Sequence, residues 1–352
     1  MFDLVPDYYE KLDDKRIEIM DDLTRFRALT KEQIHRKHFD GKGYHVNNIL
    51  SELRKKGYVK SDTLKGSRVG KRGYSYYKIT DKGIDLLYAY GKEYLTEVKE
   101  PYLRNNQLKY ILSANEVLLH LEEAGWQALD SRAVKSKYEL DRRDNILGEL
   151  VTPNEENYGI YILEQNSDIR TIGRIQSEIV ANSNNISNYM IFVKGEQSYN
   201  KFIDSGVRTQ LHTAYKVKLI PYKVGVQIMS AFPNEEEWVK TLGEKFNFDV
   251  LTTKRQENGS TSQSFPYLIR HNGQEKYLVD MSFSDLSLSH KVNAYVESEY
   301  RWEKRPLFIT YMMEQSIYMI GNKAQQITEK QQISIEDYSN IIGENKPNVI
   351  QV

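Results

Sequence analysis

The chain has 352 residues with 49 basic and 49 acidic side chains, so its formal net charge is zero, and it has no cysteine, which excludes disulfides, cysteine nucleophiles and thiolate metal sites. That length exceeds what one hydrophobic core ordinarily supports, so more than one domain is expected. Charged residues make up 28% of the chain, no apolar run approaches the roughly 18 residues of a membrane span, and the opening MFDLVPDYYEKLDDKR lacks the basic-then-apolar profile of a secretory signal; a cytoplasmic protein without a membrane partner is expected.

The charge is unevenly distributed. From Lys31 to Lys82 there are 14 Lys and Arg against 5 Asp and Glu, a net of +9, so the remaining residues sum to −9. A basic module attached to an acidic body points first to a polyanionic partner.

In chain order, Asp13 to Leu29 repeats apolar residues at Ile17, Met20, Leu23 and Leu29 between charges, the pattern of a surface helix. Thr30 then caps a second helix, KEQIHRKHF, and Lys42-Gly43 makes a break. YHVNNILSELRKKG predicts a third helix that buries Val46, Ile49, Leu50 and Leu53 and stops at Gly57. Its opposite stripe carries Tyr44, Asn48, Ser51 and Lys55, with His45 and Asn47 at the edges, and these are side chains that reach base edges or phosphates from a helix in the major groove. YVKSD and YSYYKIT are β-favouring runs joined by a glycine-rich stretch with Lys65, Arg68, Lys71 and Arg72. A further helix, DKGIDLLYAY, follows a cap at Thr80 or Asp81. Three helices, a hairpin and a helix are the order of a winged helix-turn-helix. Its wing would follow a groove on its glycines and neutralise phosphates with its cations.

The run LTKEQIHRKHF, the helix ending in LRKKGYV and the hairpin closing on YYKITDKGIDLL together resemble the replication-relaxation family found on plasmids and mobile elements of Firmicutes. The resemblance covers roughly residues 10 to 125. It implies a DNA-binding protein of plasmid replication, mobilisation or their regulation.

Beyond the linker TEVKEPYLRNN, QLKYILSANEVLLHLEEAG predicts a long helix whose apolar face contains Asn115, an amide that needs a partner if buried. RAVKSKYEL, NILGELVT and YGIYILEQ read as strands, followed by the helix TIGRIQSEIVANS, the strand YMIFVKG, the helix SYNKFIDSG and the strand YKVKLIPY. Glu235 to Phe246 is another helix, and TTKRQENGSTSQS has the composition of a loop. The plan then recurs: FPYLIRHNGQEKYLVDM is a hairpin about an Asn-Gly turn, SLSHKVNAYVESEYRW a helix and RPLFITYM a strand, with Asp280 in the place held by Glu164. The expected fold class is mixed, α+β and α/β: an N-terminal winged helix-turn-helix at residues 1–98, then a body of two ββαβ units at 105–247 and 264–352.

Helix, three strands, helix and strand is also the core order of restriction-endonuclease-like nucleases, whose carboxylates hold Mg²⁺ and activate water. The matching candidates are Glu149 and Glu164, with Asn166 where a lysine belongs, and Asp280 and Ser282 in the second unit. Without that lysine, a degenerate, non-catalytic version is expected, with no metal or other cofactor. His35, His38 and His45 lack an evident fourth ligand for zinc. There is neither a His-x-His pair nor a GxxxxGK[ST] loop, so the common relaxase and P-loop chemistries are not indicated. The reading is a sequence-specific double-stranded DNA-binding protein of a mobile element, a homodimer that recruits replication or transfer proteins. The alternatives are a divergent metal-dependent nuclease or nickase and a transcriptional repressor.

Overall fold

The computed structural model describes residues 11–39, 45–64, 74–94, 98–206, 211, 215–253 and 264–344. The chain divides into two compact units, one of Met1–Glu123, Ala128–Arg142 and Leu147–Glu149, the other of Ala124–Gln127, Arg143–Ile146 and Leu150–Val352.

In the first unit, Asp13 caps helix α1 (Asp14–Phe26) by accepting from the Arg16 N–H, and Ile17, Met20, Leu23 and Phe26 are buried. The helix stops three residues short of the expected Leu29, because Arg27 takes a φ of +66°. Leu29 instead enters the short strand β1 (Leu29–Thr30). Thr30 and Gln33 cap α2 (Lys31–Phe39) reciprocally: Thr30 Oγ1 accepts from the Gln33 N–H, and Gln33 Oε1 accepts from the Thr30 N–H. Helix α3 (His45–Lys55) buries Val46, Ile49, Leu50 and Leu53. It closes with Gly57 at φ +77° while the Tyr58 N–H returns to the Leu53 carbonyl, the left-handed ending for which glycine is suited.

Strands β2 (Val59–Leu64) and β3 (Tyr74–Ile79) pair antiparallel, from Val59 opposite Ile79 to Leu64 opposite Tyr74. β1 pairs along the other side of β3, so the sheet order is β1-β3-β2. Thr80 caps α4 (Asp81–Ala89) by accepting from the Gly83 N–H. A Cβ at Gly83 would lie 2.5 Å from the Tyr58 carbonyl oxygen, so that glycine permits a close approach of α4 to the hairpin. Helix α5 (Asn105–Glu123) packs Leu108 and Leu112 against Ala28 and Tyr76. β4 (Gln127–Asp130) leads into α6 (Ser131–Lys137), where a strand was expected from RAVKSKYEL. The physical reason is local: Asp130 caps the segment through the Arg132 N–H, and Val134 is its one buried side chain, too few for a strand buried on one face. β5 (Gly148–Val151) follows.

In the second unit, β6 (Asn157–Leu163), α7 (Ile169–Ala181), β7 (Asn188–Val193), α8 (Glu196–Gly206) and β8 (Lys216–Pro221) form a βαβαβ run with parallel pairing. Every residue of β7 is buried, as in a strand covered on both faces. Helices α9 (Tyr222–Ala231) and α10 (Glu235–Phe246) lead to β9 (Phe248–Thr253), β10 (Tyr267–His271) and β11 (Gln274–Met281). These pair antiparallel, with Asn272 and Gly273 both at positive φ in the tight β10–β11 turn, as a type I′ hairpin requires. Then come α11 (Leu286–Glu297), α12 (Tyr300–Glu303), β12 (Leu307–Tyr311), α13 (Glu314–Tyr318), α14 (Asn322–Gln325), β13 (Thr328–Gln332) and α15 (Ile335–Glu344), with β11, β12 and β13 parallel.

Both five-stranded sheets run in chain order, β4-β5-β6-β7-β8 and β9-β10-β11-β12-β13. Each ends in three parallel strands joined by helical crossovers. The recurrence read from the sequence as ββαβ therefore extends over five strands. Among the described residues no helix is long and apolar enough to cross a membrane.

Candidate nucleic-acid interface

Helix α3 is two-sided. Its apolar residues are buried, and His45, Asn47, Asn48, Ser51, Arg54 and Lys55 are all exposed. The stripe chosen from periodicity lies on the outside as expected, with Arg54 an addition that the sequence reading omitted although its spacing from Ser51 places it there. The one carboxylate of the helix, Glu52, is neutralised: Arg16 Nε donates to it at 3.1 Å and Lys56 Nζ at 2.6 Å. The hydrogen bond from Arg16, then that from Lys56, pulls the Glu52 carboxyl down to about 2. The exposed face of α3 thus has cations with no acidic partner among the described residues at Arg54 and Lys55. Tyr44 and the four wing cations Lys65, Arg68, Lys71 and Arg72 lie outside the described residues. The strands that flank those cations in the chain are in place, ending at the Leu64–Tyr74 pair.

The basic charge of this region is partly spent inside the first unit. Arg36 on α2 binds Glu116 at 2.7 Å and Glu123 at 3.3 Å on α5. Lys37 lies between Asp22 at 2.9 Å and Glu122 at 2.8 Å. Lys60 and Lys78 of the hairpin share Glu100, at 2.9 and 3.7 Å. Local net charge therefore overstates what is available to a polyanion: Arg36 and Lys37 of α2 join helices, and Arg54 and Lys55 of α3 are exposed.

The other candidates are held by protein groups. Glu149 is fully buried and accepts from Lys137 Nζ at 3.1 and 2.9 Å and from the Tyr138 hydroxyl at 2.5 Å. Burial pushes the Lys137 ammonium down, but its hydrogen bonds to Tyr138 and Glu149 outweigh this and leave it above its ordinary value. In the second unit, Glu164 pairs with Lys194 at 3.1 Å, and Asn166 accepts from Lys201 at 2.9 Å. Asp280 accepts from Trp238 Nε1 at 2.8 Å, the Thr310 hydroxyl at 2.9 Å and the Ser282 N–H at 3.0 Å. The histidines are dispersed in role: His38 Nε2 meets Asp22 at 2.8 Å, His35 stacks on Phe39, and His45 is exposed. Among the described residues no three His, Asp or Glu side chains are grouped to hold a metal ion.

Taken together, these features define a mixed α/β protein whose first unit presents one polar, cation-bearing helix face beside a hairpin. Residues 20–151, from within α1 to the end of β5, match the family model described as Replication-relaxation, so the resemblance carried by LTKEQIHRKHF and YYKITDKGIDLL is borne out. No curated protein and no solved structure matches the chain.

Proposed function

We propose that this chain is a sequence-specific double-stranded DNA-binding protein that acts in the replication or mobilisation of a plasmid or other mobile element, without a catalytic step of its own. The elements α1 to α4 are read as a winged helix-turn-helix, with α3 in the major groove and the stretch 65–73 as the wing on the phosphates. The observation that carries the reading is the sidedness of α3: Asn47, Asn48, Ser51, Arg54 and Lys55 are exposed opposite a fully apolar buried face, and its only carboxylate is neutralised from behind. The family match supports the biological setting. The body would dimerise the chain on a repeated site and recruit replication or transfer proteins. The hold of Lys137 and Tyr138 on Glu149 disfavours that carboxylate as a metal ligand.

The test is a salt titration of DNA affinity. Six cations, Arg54 and Lys55 with the four of the wing, correspond to a slope of log K against log salt of about −5, since each neutralised phosphate contributes roughly 0.9. Replacing Lys65, Arg68, Lys71 and Arg72 with alanine should weaken binding to all sequences and flatten that slope by about 3 to 4. An unchanged slope removes the wing from the DNA. Cleavage of supercoiled plasmid with Mg²⁺ or Mn²⁺, abolished by Glu149→Ala or Glu164→Ala, would replace the non-catalytic reading with a nuclease.

A further inference from the structure

The end of α1 is built around an arginine in an unfavourable conformation. Arg27 has φ +66° and ψ −36°, and the Ala28 N–H closes on the Phe26 carbonyl at 2.7 Å, so it is the central residue of a γ-turn of the rare, positive-φ kind. A side chain there is strained where a glycine would not be. Asn115 secures the turn from α5 by donating to the carbonyls of Phe26 and Ala28, on either side of Arg27. Strain held in place by its surroundings is characteristic of ligand clamps.

The guanidinium displayed in this way is half-buried and, among the described residues, has no hydrogen bond and no ion pair. Its neighbours do have partners. Arg25 donates to Glu122 at 2.9 Å and to the Ala128 carbonyl at 2.8 Å. Arg132, at the start of α6, donates to the Thr24 carbonyl in the same last turn of α1. Asp130 accepts from the Arg132 N–H at 2.7 Å and lies 3.9 Å from its Nε. Burial, then the charge of Arg132, pushes Arg27 below its ordinary value, and Asp130 opposes them. Two guanidiniums are thus near enough to repel, and one carboxylate serves both. A half-desolvated cation without its own counter-ion is costly, and an anion removes that cost. A carboxylate has two oxygens, enough for one arginine fork, whereas a phosphate has enough to meet two.

We propose that Arg27 and Arg132 bind a phosphate group, supplied either by the DNA backbone or by a free phosphate compound. The site uses residues outside α3 and the wing, so it stands or falls separately from them. Arg27→Gly and Arg27→Asn test it in the full chain, since both residue types accept positive φ. In chloride both variants should melt at or above the wild-type midpoint. Exchanging chloride for inorganic phosphate at equal ionic strength should raise the wild-type midpoint more than that of either variant or of Arg132→Gln, because a ligand bound only by the folded state stabilises it. Acetate should not open this gap. With duplex DNA, a backbone source makes both Arg27 variants flatten the slope of log K against log salt by about 0.9, and a free source leaves the slope as it was. The proposal is overturned if the Arg27 variants show the wild-type response to phosphate together with the wild-type slope. It is equally overturned if both melt lower in chloride, which would make the guanidinium a part of the fold, or if acetate acts as phosphate does.

Discussion

Two asparagines in the first unit show how the same side chain serves opposite ends. Asn48 is exposed on α3, where its amide is free to pair with both hydrogen-bonding groups of an adenine edge. Asn48→Ala should therefore weaken binding to the true site by about 1 to 3 kcal/mol and leave random DNA nearly unaffected. Footprinting on both substrates reads this directly, and equal loss on each would make Asn48 a phosphate contact. Asn115 on α5 is 4% exposed, and its Nδ2 donates to the carbonyls of Phe26 at 3.0 Å and Ala28 at 2.7 Å. It thereby holds the turn in which Arg27 adopts positive φ. Asn115→Leu keeps the volume but takes a donor from the Ala28 carbonyl and leaves the Phe26 carbonyl with the Ala28 N–H alone, and urea denaturation should show a loss of about 1 to 3 kcal/mol. A neutral result would mean that water takes over both bonds.

At the scale of elements, the joint between α2 and α5 is sensitive to protons. His120 on α5 is buried, and burial, followed by the charge of Arg36, pushes it down to about 4. Its Nδ1 is 3.6 Å from Glu116, which would favour the protonated ring. That carboxylate is already engaged by Arg36 and by Gln33 at 2.9 Å, so the two depressing influences prevail. An imidazole held neutral in the fold, with an ordinary value of 6.5 when unfolded, lets the unfolded chain bind the extra proton between those two values. Its stabilising contribution is complete above pH 6.5 and is lost as pH falls toward 4. Between pH 7 and 5 the chain should lose on the order of 2 kcal/mol from this group, and His120→Gln should lose correspondingly less over the same interval. Denaturation curves at both pH values decide it; the same pH loss in the two proteins would show that the imidazole is not held neutral.

The faces of α2, α3 and α4, the Thr30 cap and the stop at Gly57 were legible because they depend on residues three or four apart, and of the two caps read for α4 it is Thr80 that acts; the reciprocal bond from Gln33 was not read. The partners of Arg36 and Lys37 were not legible, since Glu116, Glu122 and Glu123 lie some eighty residues further on and nothing in a helix period says what it packs against. The RAVKSKYEL segment was misread because its few apolar residues fit either period, and the capping Asp130 decided. The outer stripe of α3 was likewise visible, but an aromatic-lined cavity in the second unit was not, because its lining comes from segments scattered between Trp126 and Lys291.

For the whole molecule, the boundary of the first unit has a measurable consequence. α5 belongs to that unit, and Leu108 and Leu112 complete the cluster of Ala28 and Tyr76. A fragment ending at Val98 gives up those two leucines, each worth roughly 1.5 to 3 kcal/mol of burial, together with the Asn115 bonds. It should unfold at much lower urea, by circular dichroism, than a fragment ending at Arg142. Equal midpoints would make α5 dispensable to the packing of α1 to α4. The strand orders of the two large sheets have a consequence of another kind, in time rather than in space. Because each strand of β9 to β13 pairs with its immediate predecessor, as in β4 to β8, no strand waits for a distant partner. Pairing of sequence neighbours keeps loop-closure entropy small. On a ribosome the first sheet has all its strands once Pro221 has emerged, more than a hundred residues before the second has all of its own, so the first sheet can close its pairings before the second is complete.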